Sequence, residues 1–305
     1  MSEGFQVSVV IPMYNAERFV ARAIKSALVQ QEVREVVAVD DGYQDKALEI
    51  ARQLAQEDKR VRVLMHENNA NLGAGPTRNL GIQSCTSDYV AFLDADDYYL
   101  PGRFKKTQLS LAQNPEASAV YDPVGTEFSN EDAIKNFADL KNISPEKAAG
   151  YISFPDQTLQ GMALLNGMLA GTIGSVHTNG ITIRRSVFNK SGLFRSDLKL
   201  HQDTELWLRI AYHGHFVPGE TEAPVAIRVI HEENRISRRN IRSNYLLRKV
   251  LYNEWYRASG LTSEARREVL RRYLQAYAAN LLNSNSLLTK VLWRMMYFWR
   301  LKIRR

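Results

Sequence analysis

Tyr89-Val90-Ala91-Phe92-Leu93-Asp94-Ala95-Asp96-Asp97 runs from an apolar strand pattern straight into three carboxylates. Acids crowded at the end of a buried strand repel one another and lose hydration, a cost that a bound cation removes. Oxygen-only ligands select hard ions such as Mg²⁺ or Mn²⁺, which keep waters while gripping substrate phosphates. A solvated turn, with Asp97 capping the next helix, accounts for the same residues without a metal.

Upstream, the pattern repeats. Gln6 to Ile11 reads as a strand stopped by Pro12, and Ala16 to Gln30 as a helix burying Phe19, Val20, Ala23, Ile24, Ala27 and Leu28 on one face. Val36 to Val39 is a second strand, ending in Asp40-Asp41-Gly42 ahead of a helix with Leu48, Ala51, Leu54 and Ala55 on one side. Val61 to Met65 is a third strand. A loop with Gly73 and Gly75 leads to a short helix with Pro76 in its first turn. Strand and helix in alternation predict a mostly parallel central sheet flanked by helices, an α/β fold. Such sheets bind ligands beyond the carboxyl ends of their strands, where each acidic cluster here falls.

Past Pro101 a helix is predicted to Asn114. Ile181 to Ile183 and Val225 to Ile230 read as strands and Glu205 to Tyr212 as a helix. Residues 125 to 175 give no clear periodicity and are assigned to an insertion, on the acceptor side in the family reading given next. After Ser237 the signals are helical.

Several stretches, in order, resemble the family 2 glycosyltransferases. Val7-Ser8-Val9-Val10-Ile11-Pro12-Met13-Tyr14-Asn15 is similar to that family's first strand and nucleotide loop, and Val39-Asp40-Asp41-Gly42 to its second nucleotide motif. Asn71-Leu72-Gly73 through Arg78-Asn79-Leu80-Gly81 is similar to its phosphate-side helix, and Asp94-Ala95-Asp96 to its metal-binding Asp-x-Asp. Gln202-Asp203-Thr204-Glu205-Leu206-Trp207-Leu208-Arg209 resembles its base-bearing helix, with Gln202 where the family usually has an acid. The resemblance covers residues 5 to 240 and implies the fold called GT-A, a nucleotide-diphosphate sugar donor and an inverting displacement. Residues 1–236 are then the catalytic domain, with a nucleotide-sugar half at about 1–120 and an acceptor half at about 121–236. Residues 237–305 form a basic helical C-terminal extension.

The reaction assigns the roles. An acceptor hydroxyl needs a carboxylate to take its proton, and Asp203 matches the base position, although an Asp ahead of a helical pattern is also an ordinary N-cap. Asp96 is the expected principal metal ligand. Asp94 is a second ligand or a contact to the donor's ribose. His231, after Ile230, resembles a family histidine and is expected at metal or phosphate; its alternative is structural. Pro12, Tyr14, Asn15, Asp41, Arg78, Asp94 and Ala95 form the expected nucleotide-sugar site. Within it Asp41 accepts from a base N–H, and the resemblance favours uracil with guanine and thymine open. Arg78 either approaches the diphosphate or is an exposed helix arginine.

The 305 residues carry a formal charge of +7. Residues 237–305 hold 16 Lys and Arg against 3 Asp and Glu, a charge of +13, which leaves −6 for residues 1–236. At the chain's end Leu288, Val291, Leu292, Met295, Phe298, Trp299 and Ile303 occupy one half of a helical wheel, and Lys290, Arg294, Arg300 and Arg304 the other. That basic amphipathic helix fits an anionic membrane surface through 287–305; the same stripe fits packing on the catalytic domain or on a second subunit as a homodimer. No run of about 18 uncharged apolar residues and no secretory signal is present. With a single cysteine, Cys85, the expectation is a cytoplasmic enzyme, peripheral at the inner face of the membrane. Its acceptor is expected to be a polysaccharide or lipid-linked glycan, and no nucleic-acid module accompanies the arm. The rival readings are a sugar-phosphate nucleotidyltransferase, for which the Gly-rich phosphate loop is missing, and a non-catalytic nucleotide-sugar-binding or membrane-associated protein, against which Asp96 and Asp203 argue.

Overall fold

A computed structural model describes residues 4–42, 44–155, 159–232, 234, 240–284 and 286–302. The strands are β1 (Val7–Met13), β2 (Val33–Asp40), β3 (Val61–Met65), β4 (Tyr89–Phe92), β5 (Tyr98–Tyr99), β6 (Ala119–Tyr121), β7 (Val124–Phe128), β8 (Ile181–Arg184), β9 (Phe216–Pro218) and β10 (Ala226–Ile230). The helices are α1 (Val20–Leu28), α2 (Ala47–Glu57), α3 (Ala74–Ser84), α4 (Lys105–Gln113), α5 (Glu131–Lys141), α6 (Pro145–Ala149), α7 (Gly161–Ala170), α8 (Phe188–Ser191), α9 (Gln202–His213), α10 (Ile241–Trp255), α11 (Ser263–Leu281) and α12 (Leu287–Lys302).

Seven strands form the central sheet in the order β3-β2-β1-β4-β8-β6-β9. β3, β2, β1 and β4 run parallel, as do β6 and β9, while β8 is antiparallel to both its neighbours. The expected mostly parallel α/β sheet is therefore present, with one strand reversed. A second sheet, β5-β10-β7, stands beside it and brings β7 and β10 together in parallel.

The strand at Pro12 does not stop there: β1 continues to Met13, with Pro12 opposite Val39 and Met13 opposite Asp40. The reason lies in the ladder. Val10 offers its carbonyl to Leu93 on the β4 side, Met13 offers its own to Asp41 on the β2 side, and pairing with β4 ends at Val10. In a parallel strand alternate residues face alternate neighbours, so the N–H that Pro12 lacks faces a side where no ladder remains.

Both faces of the sheet are covered. Val7, Val9, Ile11, Val36 and Ala38 pack on α1 and α2, in a cluster with Val20, Ile24, Ala51 and Leu54. Val10, Val37, Val39, Val90 and Phe92 point the other way, into a cluster with Trp207 of α9, Leu164 of α7 and Leu251 and Trp255 of α10. Period-2 alternation in a buried strand places successive side chains in these two cores. α10 and α11 thus lie against the body, and α11 packs on α7.

Candidate active site

A cavity of about 860 Å³ opens beyond the carboxyl ends of β1, β2 and β4. Pro12, Tyr14, Asn15, Asp41, Arg78, Asp94, Ala95, Asp96, Asp203 and His231 all line it, so ten positions spread over 220 residues of sequence converge on one space.

The side of the cavity at the end of β2 is built by polar contacts. Asp41, at the end of β2, accepts hydrogen bonds from the backbone N–H groups of Leu72 at 2.8 Å and Gly73 at 2.9 Å. Gly42 permits this: its φ is +78° and a Cβ there would lie 2.8 Å from the carbonyl oxygen of Asn69. The loop so pinned delivers α3, and α3 delivers Arg78. That arginine is 8% exposed, which removes the surface alternative, and its Nη2 donates to Asp94 Oδ1 at 2.5 Å. Burial opposes charge on Asp94, but Arg78 with His177 and Arg228 outweighs it and holds the carboxyl below its ordinary value.

The three acids of the opening stretch part company. Asp97 is buried and accepts from Val229 N at 2.7 Å and Asn179 Nδ2 at 2.5 Å, clamping the end of β4 to β10 and to the 178–180 turn. Burial first, then the charges of Asp96 and Asp94, push Asp97 well above the usual carboxylate range. Asp96 faces the cavity. Its Oδ2 accepts from Asn234 Nδ2 at 2.9 Å and lies 3.2 Å from His231 Nε2, while the Phe19 ring packs 4.7 Å from the His231 ring.

Among the described residues no cluster of three or more His, Cys, Asp or Glu side chains is arranged to hold a metal ion. Asp94 is turned to Arg78, which leaves Asp96 and His231 as adjoining donors. Mg²⁺ and Mn²⁺ are ordinarily held by one or two carboxylates plus substrate phosphates and water, so an incomplete protein donor set fits an ion brought in with a diphosphate.

Across the cavity stands α9. His201, in the left-handed region at φ 64°, precedes it, and Asp203 occupies its first turn. Asp203 is therefore not the N-cap. Its Oδ1 accepts from Thr204 N at 2.7 Å, and its Oδ2 accepts from Thr178 Oγ1 at 3.4 Å. Gln202, the departure from the family pattern, turns away from Asp203: it is buried, donates to the carbonyl of Leu198 and packs against Gly75. Arg209 grips Glu205 with two hydrogen bonds of 2.7 Å and donates to the carbonyl of Leu193, which fastens the helix in place.

The 177–179 turn joins the two sides, and sequence reasoning missed it. Thr178 donates to Asp203, while Asn179 accepts from Asp94 N at 3.0 Å and donates to Asp97. Beneath it Arg103 and Asp122, both fully buried, pair at 2.8 Å, and Arg103 Nε donates to the Asn179 carbonyl at 3.2 Å. His177 Nδ1 accepts from Asn179 N at 3.2 Å, so a neutral ring carries its proton on Nε2. Burial, then the charge of Arg228, lowers His177 to about 4, with Lys141 adding to the effect and Asp94 and Asp203 opposing it. Arg228 was legible only as a neighbour of His231, and Lys141 lay in the segment without clear periodicity.

The family signature described as Glycosyl transferase family 2 matches residues 8–191, and the chain belongs to that family. It is 34% identical over 109 residues to an uncharacterized glycosyltransferase of Haemophilus influenzae, and 38% identical over 109 residues to the uncharacterized glycosyltransferase EpsJ of Bacillus subtilis. Each match covers 35% of this chain, and they cover 43% and 31% of those relatives. A second H. influenzae glycosyltransferase is 25% identical over 226 residues, 74% of this chain and 68% of its own length. Among solved structures, Staphylococcus aureus TarS 1–349 in complex with UDP-GlcNAc superposes with a TM-score of 0.67 at 17% identity, over 94% of this chain and 78% of that one. The mannosyltransferase PcManGT of Pyrobaculum calidifontis, in complex with GDP-Man and Mn²⁺, superposes with a TM-score of 0.54 at 16% identity, over 98% of this chain and 81% of that one. The fold is thus the GT-A fold anticipated from the motifs.

Proposed function

We propose that the chain transfers a hexosyl group from a nucleotide-diphosphate sugar, UDP-linked in preference, to an acceptor hydroxyl on a polysaccharide or lipid-linked glycan, with inversion at the anomeric carbon. The observation that carries this reading is the 177–179 turn: adjoining residues contact Asp203 on one wall and Asp94 and Asp97 on the other, so a base and a diphosphate site face one cavity. In this reading residues 1–120 bind the donor, residues 121–236 the acceptor, and residues 237–305 extend the catalytic domain.

Asp41 and the Pro12 to Asn15 loop hold the nucleotide, and Arg78 approaches the diphosphate through the groups it already orders. The acceptor oxygen attacks the anomeric carbon as the bond to the diphosphate oxygen breaks; the electron pair leaves with the diphosphate and the hydroxyl proton passes to Asp203. Asp96 and His231 would hold Mn²⁺ or Mg²⁺, which, when bound, supplies positive charge to the leaving diphosphate. The mannosyltransferase with GDP-Man and Mn²⁺ and TarS with UDP-GlcNAc support a nucleotide-sugar donor and a divalent ion by likeness of fold.

Calorimetric titration of UDP, GDP and TDP, with Mn²⁺ present or chelated, tests the donor site. Metal-dependent binding of one nucleotide is expected, lost in Asp96→Ala and kept in Asp203→Asn. The second variant is expected to lose about 10²- to 10⁴-fold in kcat, the usual worth of a general base. Absence of binding by any nucleotide overturns the reading.

A further inference from the structure

The C-terminal stripe has two sides in the fold. On α12 the covered face carries Thr289, Leu292, Trp293 and Met296, and α11 is the element it packs against. The opposite face carries Leu287, Leu288, Val291, Met295, Phe298 and Trp299, each between 48% and 75% exposed. Leu281 and Leu282, just before the turn into α12, are exposed as well. Of the wheel's residues, Ile303 and Arg304 lie outside the described residues, as does the boundary at 236/237. Among the described residues of the stripe Leu292 alone is partly covered, so the described stripe does not pack whole on the catalytic body.

Six large apolar side chains on one side of one helix form the kind of surface that marks an interaction site. Charge narrows the partner. Lys290 and Arg294 are exposed on the flank of the stripe, and from Ser286 to the last residue the sequence holds six Lys and Arg and no Asp or Glu. A second copy of this helix laid face to face would set these cations against their own kind. A bilayer of anionic lipid offers acyl chains to the stripe and phosphates to its basic flank together. Among the described residues no helix is long and apolar enough to cross a membrane, so the contact is interfacial.

We propose that the exposed face of α12 is a docking surface for an anionic lipid bilayer, with Leu288, Val291, Met295, Phe298 and Trp299 at the acyl boundary and Lys290 and Arg294 at the headgroup phosphates. The proposal is independent of the catalytic reading.

Cosedimentation of the full chain with phosphatidylglycerol-containing vesicles and with pure phosphatidylcholine vesicles tests it, alongside sedimentation velocity without lipid. Binding to the anionic vesicles, weakened by salt, is expected. Lys290→Ala/Arg294→Ala is expected to bind ~30-fold more weakly, from the usual contribution of a basic residue at an anionic surface. Phe298→Glu/Trp299→Glu, at exposed positions that leave the helical circular dichroism and the melting temperature unchanged, is expected to lose binding. Equal binding by wild type and both variants, or no binding to either vesicle, overturns the proposal. So does a dimer in the absence of lipid that the Phe298→Glu/Trp299→Glu variant dissociates, since the stripe then belongs to a second copy.

Discussion

His177 combines several controls in one side chain. Its Nδ1 is occupied by Asn179 N–H, the charges of Asp94 and Asp203 oppose those of Arg228 and Lys141 at the ring, and it lines the cavity. A neutral ring there keeps its proton on Nε2. The linkage has a definite sign. With the native value lowered to about 4 from 6.5, the unfolded chain binds the proton first as pH falls. The stability this group contributes is complete above about pH 6.5 and is lost between there and about pH 4. Its size is about 2 kcal/mol, less than the full shift converts to because the ring lines an open cavity and is only partly buried. Urea unfolding of the wild type and His177→Asn at pH 7 and pH 4.5 measures it: the variant is expected to lose less stability on acidification, and parallel losses would remove the assignment. The same comparison cancels Asp97, which changes with pH in the opposite sense and is common to both proteins.

Individual elements were legible where a period could be counted. β3 and the start of β4 fall at the residues expected, and α9 starts at Gln202, three residues before Glu205. β5, β6 and β9 span two or three residues, too few for alternation to register, and exist because neighbouring strands supply their hydrogen bonds. α5 carried a readable signal that was passed over: Asn130 accepts from Ala133 N as an N-cap, Glu131 and Asp132 follow, and Ala133, Phe137 and Ala138 are buried at helical spacing. The contact of α3 with β1 rests on Gly81, where a Cβ would overlap the side chain of Val10. Gly81→Ala is expected to destabilise by about 1 to 2 kcal/mol, overpacking offset in part by better helix propensity. Val10→Ala added to it should restore part of the loss in a double-mutant cycle followed by urea unfolding, and strict additivity would refute the contact.

Across the molecule, the arm and the body share a core. Leu247, Leu251 and Trp255 of α10 and Val269 of α11 lie in the cluster that holds Phe92 of β4 and Trp207 of α9. Leu251→Ala is accordingly expected to cost about 2 to 5 kcal/mol in a single unfolding transition that carries the whole chain; two transitions, with only one displaced, would show that the arm unfolds alone. The sequence by itself determined the parallel α/β frame and the donor-side motifs, because buried strands and the acids at their ends are local patterns a few residues long. The family resemblance, read from motifs in order, singled out Asp203, and the fold places it on the cavity wall opposite Asp94. Tertiary structure alone decided that Asp94 pairs with Arg78, that Asp97 is a clamp, that Thr178 and Asn179 join the two walls, and that the apolar side of α12 stays open. Each of these depends on which groups meet across 16 to 132 residues of chain, a matter of packing and charge in three dimensions that no local period encodes.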